Sequence, residues 1–287
     1  MMSGIGRARA RSGIRAPRGL AATDLFVIGL VLFILAVAVV APLIAPASVY
    51  EPDVRNALRP PSASHWMGTD SLGRDVFWRV AVGTRASVLS SILIVTCYAF
   101  LGICIATVAT LGGKWVDEVL MRATDIAIAL PVLVVGLGFA AALGPSLRSA
   151  IIAMILVGWP YSARLLRGIT RQTMVMPFVE GATVLGVSRF RLMVRHVLPN
   201  SMDVMMVKWA ADVGFTTLLL SSLSFLGVGA QQPSPEWGAM VSEARVNVAT
   251  AWWTAAAPGI AITVAVVAFA LLGDFIQARR NPLFEEK

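Results

Sequence analysis

The chain is 287 residues long, with 57% hydrophobic and only 14% charged residues and a mean hydropathy of +0.77. Because a soluble domain carries about 25% charged residues, this composition excludes an ordinary soluble protein and indicates a polytopic membrane protein. The net charge of +8 would favour nucleic-acid binding in a soluble chain, but in a membrane protein it is typical of basic loops that face the cytoplasm.

Six apolar runs are long enough to span a bilayer. They cover residues 24–46, 86–111, 119–142, 147–166, 203–230 and 254–276. If the N-terminus is cytoplasmic, sixteen basic residues fall in the inner segments and seven in the outer segments. This asymmetry predicts that both termini face the cytoplasm.

The spans divide the chain into four predicted parts. The fold class they predict is an all-α integral membrane protein with a six-helix bundle, and a long cytoplasmic loop at 169–202 interrupts its core. The parts are a basic cytoplasmic arm (1–23), the first span with a long extracytoplasmic loop and its amphipathic helix (24–85), the core transmembrane domain (86–278) and a cytoplasmic tail (279–287).

The first outer loop contains "HWMGTDSLGRDVFWRV", which predicts a helix on the membrane surface. We expect Asp70 to cap this helix and Asp75 to pair with Arg79 one turn later. An apolar stripe of Leu72, Val76 and Val80 would face the bilayer. Two roles stay open at this point: the helix shapes the outer mouth of a pathway, or it is a structural collar.

Charged residues inside the apolar runs are candidate structural ion pairs. Arg122 and Asp125 lie three apart in the third run, and Lys208 and Asp212 lie four apart in the fifth, so each pair shares a helix face. An intramembrane acid is also a candidate proton or ion relay, but one acid in each of two runs is a weak basis for ion coupling. We expect structural pairing.

The familiar catalytic patterns are absent from the sequence. "TLGGKWV" imitates the end of a phosphate-binding loop, but Val108 replaces the first glycine and Trp115 replaces the hydroxyl residue that binds Mg²⁺. His65 and His196 are the only histidines and fall on opposite predicted sides, so no histidine pair forms a metal site. This chain is therefore not expected to bind ATP by that loop or to hold a metal ion by a histidine pair.

The stretch "FVEGATVLGVSRFRLMVRHVLPN" predicts two short amphipathic helices. We expect Pro177 in the first turn of one helix, Gly186 as its left-handed C-cap, Ser188 as the N-cap of the next helix and Pro199 as its end. A DNA-binding helix-turn-helix is disfavoured because membrane spans flank both ends. Docking into a groove of a soluble partner and lying on lipid headgroups both stay open.

The same stretch resembles the EAA loop of bacterial ABC importer permeases, through Glu180-Gly181-Ala182, then Gly186, then Leu198-Pro199. It departs from that loop at Gly181, where alanine is usual, and at His196, where many relatives have an aliphatic residue. The resemblance implies a coupling helix that contacts an ATPase subunit. The residues expected to form this contact are Glu180, Gly181, Ala182, Gly186, Arg191, Arg195, Leu198 and Pro199.

The resemblance extends over most of the chain, through "HWMGTDSLGRDVFWRVAVGTRAS", "GWPYSARLLRG", "LSFLGVGAQQPSPEWGAMVSEAR" and "AWWTAAAPGIAITVAVVAFALLGD". These stretches are similar to landmarks of the second permease of dipeptide, oligopeptide and nickel importers. Leu220 occupies a position where many relatives carry an acid, so the role of that acid in those relatives is not assigned to this chain. The outer-loop landmark contributes a motif of Gly68, Thr69, Asp70, Gly73, Arg74 and Asp75.

The resemblance implies a type I permease in the bacterial cytoplasmic membrane, without catalytic residues or a cofactor of its own. The implied partners are a similar second permease, two ATPases that bind ATP and Mg²⁺, an extracytoplasmic solute-binding protein and membrane lipid, with no nucleic acid. Short peptides are the favoured solute. The alternatives are nickel or another small solute and, more remotely, an ion-coupled secondary transporter.

Overall fold

The computed structural model describes residues 21–280. Most of the predicted basic arm (1–23) and most of the predicted tail (279–287) lie outside the described residues. The described part is helical and contains no β-strand, only an isolated bridge between Thr69 and Asp75. The all-α prediction is therefore confirmed.

The helices follow the apolar runs. Two short 3₁₀ turns, Ala47–Val49 and Val54–Asn56, lie in the first long loop, and two π turns, Arg85–Leu89 and Met193–Val197, join neighbouring helices. The helices are α1 (Ala22–Ile44), α2 (Val76–Thr84), α3 (Ser90–Leu111), α4 (Gly113–Ala129), α5 (Val132–Leu143), α6 (Leu147–Met174), α7 (Pro177–Val184), α8 (Arg189–Leu192), α9 (Leu198–Phe225), α10 (Trp237–Ala244) and α11 (Trp253–Arg280).

Within residues 21–280, five helical segments are long and apolar enough to cross a membrane, or six if α4 and α5 together form one span. The third predicted span, residues 119–142, is not one straight helix, because α4 and α5 meet at an angle of 90°. Pro131 explains the break. It supplies no backbone N–H and holds Leu130 in an extended conformation, with ψ of 136°.

The first outer loop differs from its prediction. α2 does not stand apart on a surface, because it continues through the Arg85–Leu89 π turn into α3 as one helical segment, Val76–Leu111. Its N-cap is Asp75, whose side chain accepts from the Trp78 amide, and Asp70 lies outside the helix. Asp70 instead accepts the Leu72 and Arg74 amides and so closes a turn within its own loop.

The core forms where small residues let α3, α6, α9 and α11 approach one another. At Gly214 of α9, an added Cβ would lie 2.8 Å from the Val266 carbonyl oxygen of α11. Ile94, Leu220 and Phe269 are fully or almost fully buried members of the same apolar core. The bundle has two ends. We call the end that carries α7 and α8 the hairpin end, and the end that carries α2 and α10 the loop end.

Candidate functional site

Residues 177–199, here called the hairpin, protrude between α6 and α9. Pro177 lies in the first turn of α7, as predicted. Gly186 has a φ of +81°, and the Val187 amide donates to the Ala182 carbonyl across the turn at 3.1 Å. This hydrogen bond is typical of a glycine that ends a helix in the left-handed conformation, so the prediction for Gly186 is confirmed.

The second half of the hairpin is firmly joined to the bundle. Ser188 caps α8 by accepting the Arg191 amide at 3.4 Å, as predicted. Pro199 does not end this helix. α8 runs through the Met193–Val197 π turn into α9 without a break, and Pro199 lies in the first turn of α9. The wider π turn just before the proline accommodates its missing N–H and its ring.

One side of the hairpin packs inward. Val179, Leu192, Met193 and Val197 are at most 2% exposed and form a small apolar core. The ends of α3 and α6 complete this core through partly buried residues. The two helices of the hairpin therefore form a unit that is fixed against the bundle rather than a loose loop.

The tip of the hairpin exposes large apolar side chains. Leu185 is 86% exposed, Val184 82% and Phe190 65%. Phe178 and Val194 are about half exposed beside them. These side chains are accessible to a groove of a partner or to lipid headgroups, the two alternatives that the sequence leaves open.

The residues predicted for ATPase contact are spread along the hairpin, from Glu180 on α7 to Leu198 and Pro199 at the start of α9. Ala182 and Leu198 are half-buried, and the others are exposed: Glu180, Gly181, Gly186, Arg191, Arg195 and Pro199. Within residues 21–280, neither Arg191 nor Arg195 forms an ion pair. The hairpin therefore presents apolar and basic groups side by side.

Near the hairpin end, the predicted pair of Arg122 and Asp125 is wrong. Asp125 pairs with Arg164 of α6, and Arg122 pairs with Glu118 at 3.6 Å on its own helix. A four-residue spacing suits a helical ion pair, and a basic residue from the neighbouring helix is available to Asp125. Sequence spacing alone could not reveal Arg164, which lies 39 positions away.

Sequence reasoning also missed Asp117 of α4, which is 6% exposed. Its Oδ2 atom lies 2.5 Å from Nη2 of both Arg167 and Arg171 on α6. These contacts and the Asp125–Arg164 pair hold α4 against α6. The sequence did contain a signal for these contacts. An acid lies near the start of the amphipathic helix α4, and three arginines lie three or four residues apart on α6.

The predicted pair of Lys208 and Asp212 is confirmed, with Nζ and Oδ2 at 2.5 Å. The Tyr98 hydroxyl of α3 donates to the same Oδ2 at 2.7 Å. Tyr98 was not predicted, because nothing in the sequence connects positions separated by 114 residues.

At the loop end, four charged side chains form what we call the loop-end ion cluster: Asp70, Arg74, Arg79 and Glu243. Arg74 bridges both acids, with 2.7 Å from Nε to Asp70 Oδ2 and 2.7 Å from Nη2 to Glu243 Oε2. Arg79 contacts the same two oxygens at 3.4 and 3.3 Å. Both arginine side chains are 1% exposed. The cluster fastens the first long loop to α10.

Burial in this cluster raises the pKa of Glu243 above its ordinary value, and the positive charges of Arg79 and Arg74 oppose that rise. The predicted pair of Asp75 and Arg79 is wrong. Asp75 uses its carboxylate to cap α2 and to contact His65 Nδ1 at 2.8 Å. Arg79 instead contacts Glu243. The two residues are 164 positions apart, so the sequence alone could not predict this contact.

The remaining loop-motif residues shape the backbone around this cluster. Gly68 and Gly73 have φ of +70° and +78°. The Thr69 hydroxyl donates to the Asn56 carbonyl, and the Thr69 carbonyl accepts from the Trp253 indole at 3.2 Å. The motif therefore builds a rigid cap over the start of α11.

Glu236 is a second buried acid at the loop end that the sequence analysis missed. It is 0% exposed and caps α10 by accepting the Gly238 and Ala239 amides at 3.0 Å. It also accepts the hydroxyls of Ser87 and Ser221. Glu236 thereby holds the start of α10 against α9 and the Arg85–Leu89 π turn.

Among residues 21–280, no group of three or more His, Cys, Asp and Glu side chains is arranged to hold a metal ion. The arrangement instead comprises a helical bundle of five or six spans, a rigid hairpin with an apolar tip at one end and a tightly fastened cap at the other. These features are those of a multi-pass membrane protein.

Comparison with known proteins identifies the family. Residues 98–285 match the family described as binding-protein-dependent transport system inner membrane component. The match covers more than half of the chain, so the chain belongs to this family, as the sequence resemblance predicted.

Curated proteins that are similar to this chain support the same family assignment. The chain is 40% identical over 230 residues to the probable D,D-dipeptide transport system permease protein of Escherichia coli K12, covering 80% of this chain and 77% of the relative. It is 37% identical over 263 residues to the dipeptide transport system permease protein of Alkalihalophilus pseudofirmus, covering 90% and 86%. It is 36% identical over 222 residues to the glutathione transport system permease protein of Pectobacterium atrosepticum, covering 77% and 74%.

Proposed function

We propose that this chain is the non-catalytic permease subunit of an ATP-driven importer in the bacterial cytoplasmic membrane. It forms half of the translocation pathway beside a similar second permease. Two ATPase subunits bind ATP and Mg²⁺, and an extracytoplasmic protein delivers the solute. Two observations support the proposal that the partners, and not this chain, bind ATP. The family is described as a membrane component of a transport system, and the loop around Lys114 lacks two residues of the phosphate-binding pattern.

Short peptides are the proposed solute. The relatives described above are named for the transport of a dipeptide, a D,D-dipeptide and glutathione, which is itself a small peptide. Nickel, the alternative within the family, appears in none of those three names. An ion-coupled mechanism has no support in the family match.

We propose that the hairpin end and both termini are cytoplasmic. The start of α1 and the end of α11 lie at the hairpin end, where Arg279 contacts Asp24 and Arg280 pairs with Asp203 of α9. Three basic residues of α6 and the basic residues of the hairpin all gather at this end, as expected for cytoplasmic segments. The loop-end ion cluster then faces the solute-binding protein.

The observation that carries the proposal is the construction of the hairpin. Its apolar tip, centred on Leu185, is exposed, while its base is buried and α8 continues into α9. A groove of the ATPase that holds the tip would move α8 and α9 together when the ATPase dimer closes. Access of the pathway would then alternate between the two sides of the membrane.

Cysteine cross-linking tests this contact in membranes that contain the whole complex. Cys97 and Cys104 are first replaced by serine, and a single cysteine is introduced at Leu185. A cysteine at Val246, which is 81% exposed at the loop end, is the matched control. We expect a reagent with one thiol-reactive group and one photoactivated group, which inserts into any nearby side chain, to link position 185, but not position 246, to an ATPase subunit. Equal linking from both positions, or none from position 185, contradicts the proposal.

A further inference from the structure

An ion pair lies at the middle of α9. Asp212 is fourteen residues beyond the start of this 28-residue helix, about 21 Å along its axis at 1.5 Å per residue. Lys208 lies one turn nearer the hairpin end. A charged pair at that depth is costly in lipid and marks a functional position by default.

Lys208 belongs to a face of α9 that the rest of the chain leaves uncovered. The exposed side chains of this face recur every three or four residues, at Val204, Ala211, Phe215 and Leu218. The other faces of α9 pack against α3, α6 and α11. The side chains of Lys208 and Asp212 remain 21% and 19% exposed beside this face.

The pair keeps unused hydrogen-bonding capacity. Both Tyr98 and Lys208 donate to Oδ2 of Asp212, and no residue within 21–280 donates to Oδ1. The Lys208 ammonium group has three N–H donors, of which the described contacts use one. Tyr98, only 6% exposed, holds the carboxylate in place from the buried side.

We infer that Lys208 and Asp212 form a contact for the charged ends of a peptide in transit. Free Oδ1 of Asp212 receives the peptide's α-ammonium group, and the free N–H groups of Lys208 receive its α-carboxylate. When no peptide is present, the two side chains neutralise each other, so no unpaired charge remains in the membrane. This inference rests on the proposed function, because it assumes that the solute is a peptide with free ends.

The test uses the complete complex in liposomes, with uptake driven by ATP. Three peptides are compared: a dipeptide with free ends, its N-acetyl form and its C-terminal amide. Each is supplied at a concentration that saturates the solute-binding protein, so that differences in uptake report on the membrane subunits. Co-purification of all subunits and stimulated ATP hydrolysis establish that each variant complex has assembled.

We expect Asp212→Asn to remove the preference for the free dipeptide over its N-acetyl form. Lys208→Met should remove the preference over the amide. The double variant leaves no unpaired charge, so it should still assemble, and its uptake of the free dipeptide should fall about tenfold, which corresponds to about 1.4 kcal/mol. Asp203→Asn is the matched control, because it breaks the pair with Arg280 near the hairpin end of the same helix. It should leave both preferences unchanged.

An equal loss of uptake for all three peptides in the double variant would overturn the inference, because the pair would then only join α3 to α9. Unchanged preferences in an assembled double variant would overturn it as well. If the unaltered complex transports none of the three peptides, the proposed function fails instead. The two failures are therefore distinguishable.

Discussion

Replacing Gly186 by valine perturbs the turn on which the hairpin is built. Gly186 has a φ of +81°, in the left-handed region, where an L-residue with a Cβ costs roughly 1–2 kcal/mol. No atom lies within 4 Å of the position that a Cβ would occupy, so the cost comes from the backbone and not from a clash. A penalty of this size shifts a conformational equilibrium by about 5- to 30-fold.

The expected result is loss of coupling rather than loss of insertion, because Gly186 lies outside the spanning segments. In reconstituted complexes, Gly186→Val should lower solute uptake by about 5- to 30-fold while the chain still inserts and binds its outer partner. Gly186→Asn is the matched control, since asparagine tolerates the left-handed conformation and should transport nearly normally.

Gly181→Ala provides a second control. This glycine is helical with open space around it, so alanine should stabilise α7 by about 0.5–1 kcal/mol and preserve transport. The assay compares substrate-stimulated ATP hydrolysis with uptake for all three variants. Normal coupled transport by Gly186→Val at normal expression would falsify the role given to the hairpin.

Four further predictions concern other parts of the chain. A cysteine at Gln232 should react with an impermeant reagent in intact cells and one at Ser188 should not, and the opposite pattern would reverse the proposed orientation. Glu243→Gln should lower the free energy of unfolding by about 3–5 kcal/mol, measured by thermal unfolding in detergent, because it leaves buried arginines undercompensated. Gly83→Ala should lower the free energy of unfolding by about 1–3 kcal/mol in the same measurement, because its Cβ would lie 2.0 Å from the Pro235 carbonyl oxygen. Gly29→Ala is the control and should not cause this loss, because its Cβ would meet open space. The purified chain alone should not hydrolyse ATP, and activity above that of a mock preparation would contradict the assignment.

Local chemistry allowed parts of this structure to be predicted. Pro177, Gly186 and Ser188 lie where helix-terminus rules place them, because a missing N–H, a left-handed φ and a hydroxyl acceptor each act within one turn. The pair of Lys208 and Asp212 was predictable for the same reason, since one turn of helix brings both side chains together.

Contacts between distant segments were not predictable. Arg79 was assigned to Asp75 because the two are one helical turn apart, but the Arg79 side chain contacts Glu243 on α10 instead. The assignment of Asp125 to Arg122 failed in the same way, because Arg164 comes from α6. The run 119–142 has the length and hydropathy of a single span, so the break between α4 and α5 was missed although Pro131 marks it in the sequence.

We propose that this chain is an obligatory part of an ATP-driven peptide importer. The most direct measurement is uptake of a radiolabelled dipeptide into liposomes that contain the second permease and both ATPases, with the solute-binding protein outside and ATP inside, in the presence or absence of this chain. We expect ATP-dependent accumulation only when the chain is present. Equal accumulation without the chain, or no accumulation of any short peptide by the assembled complex, would contradict it.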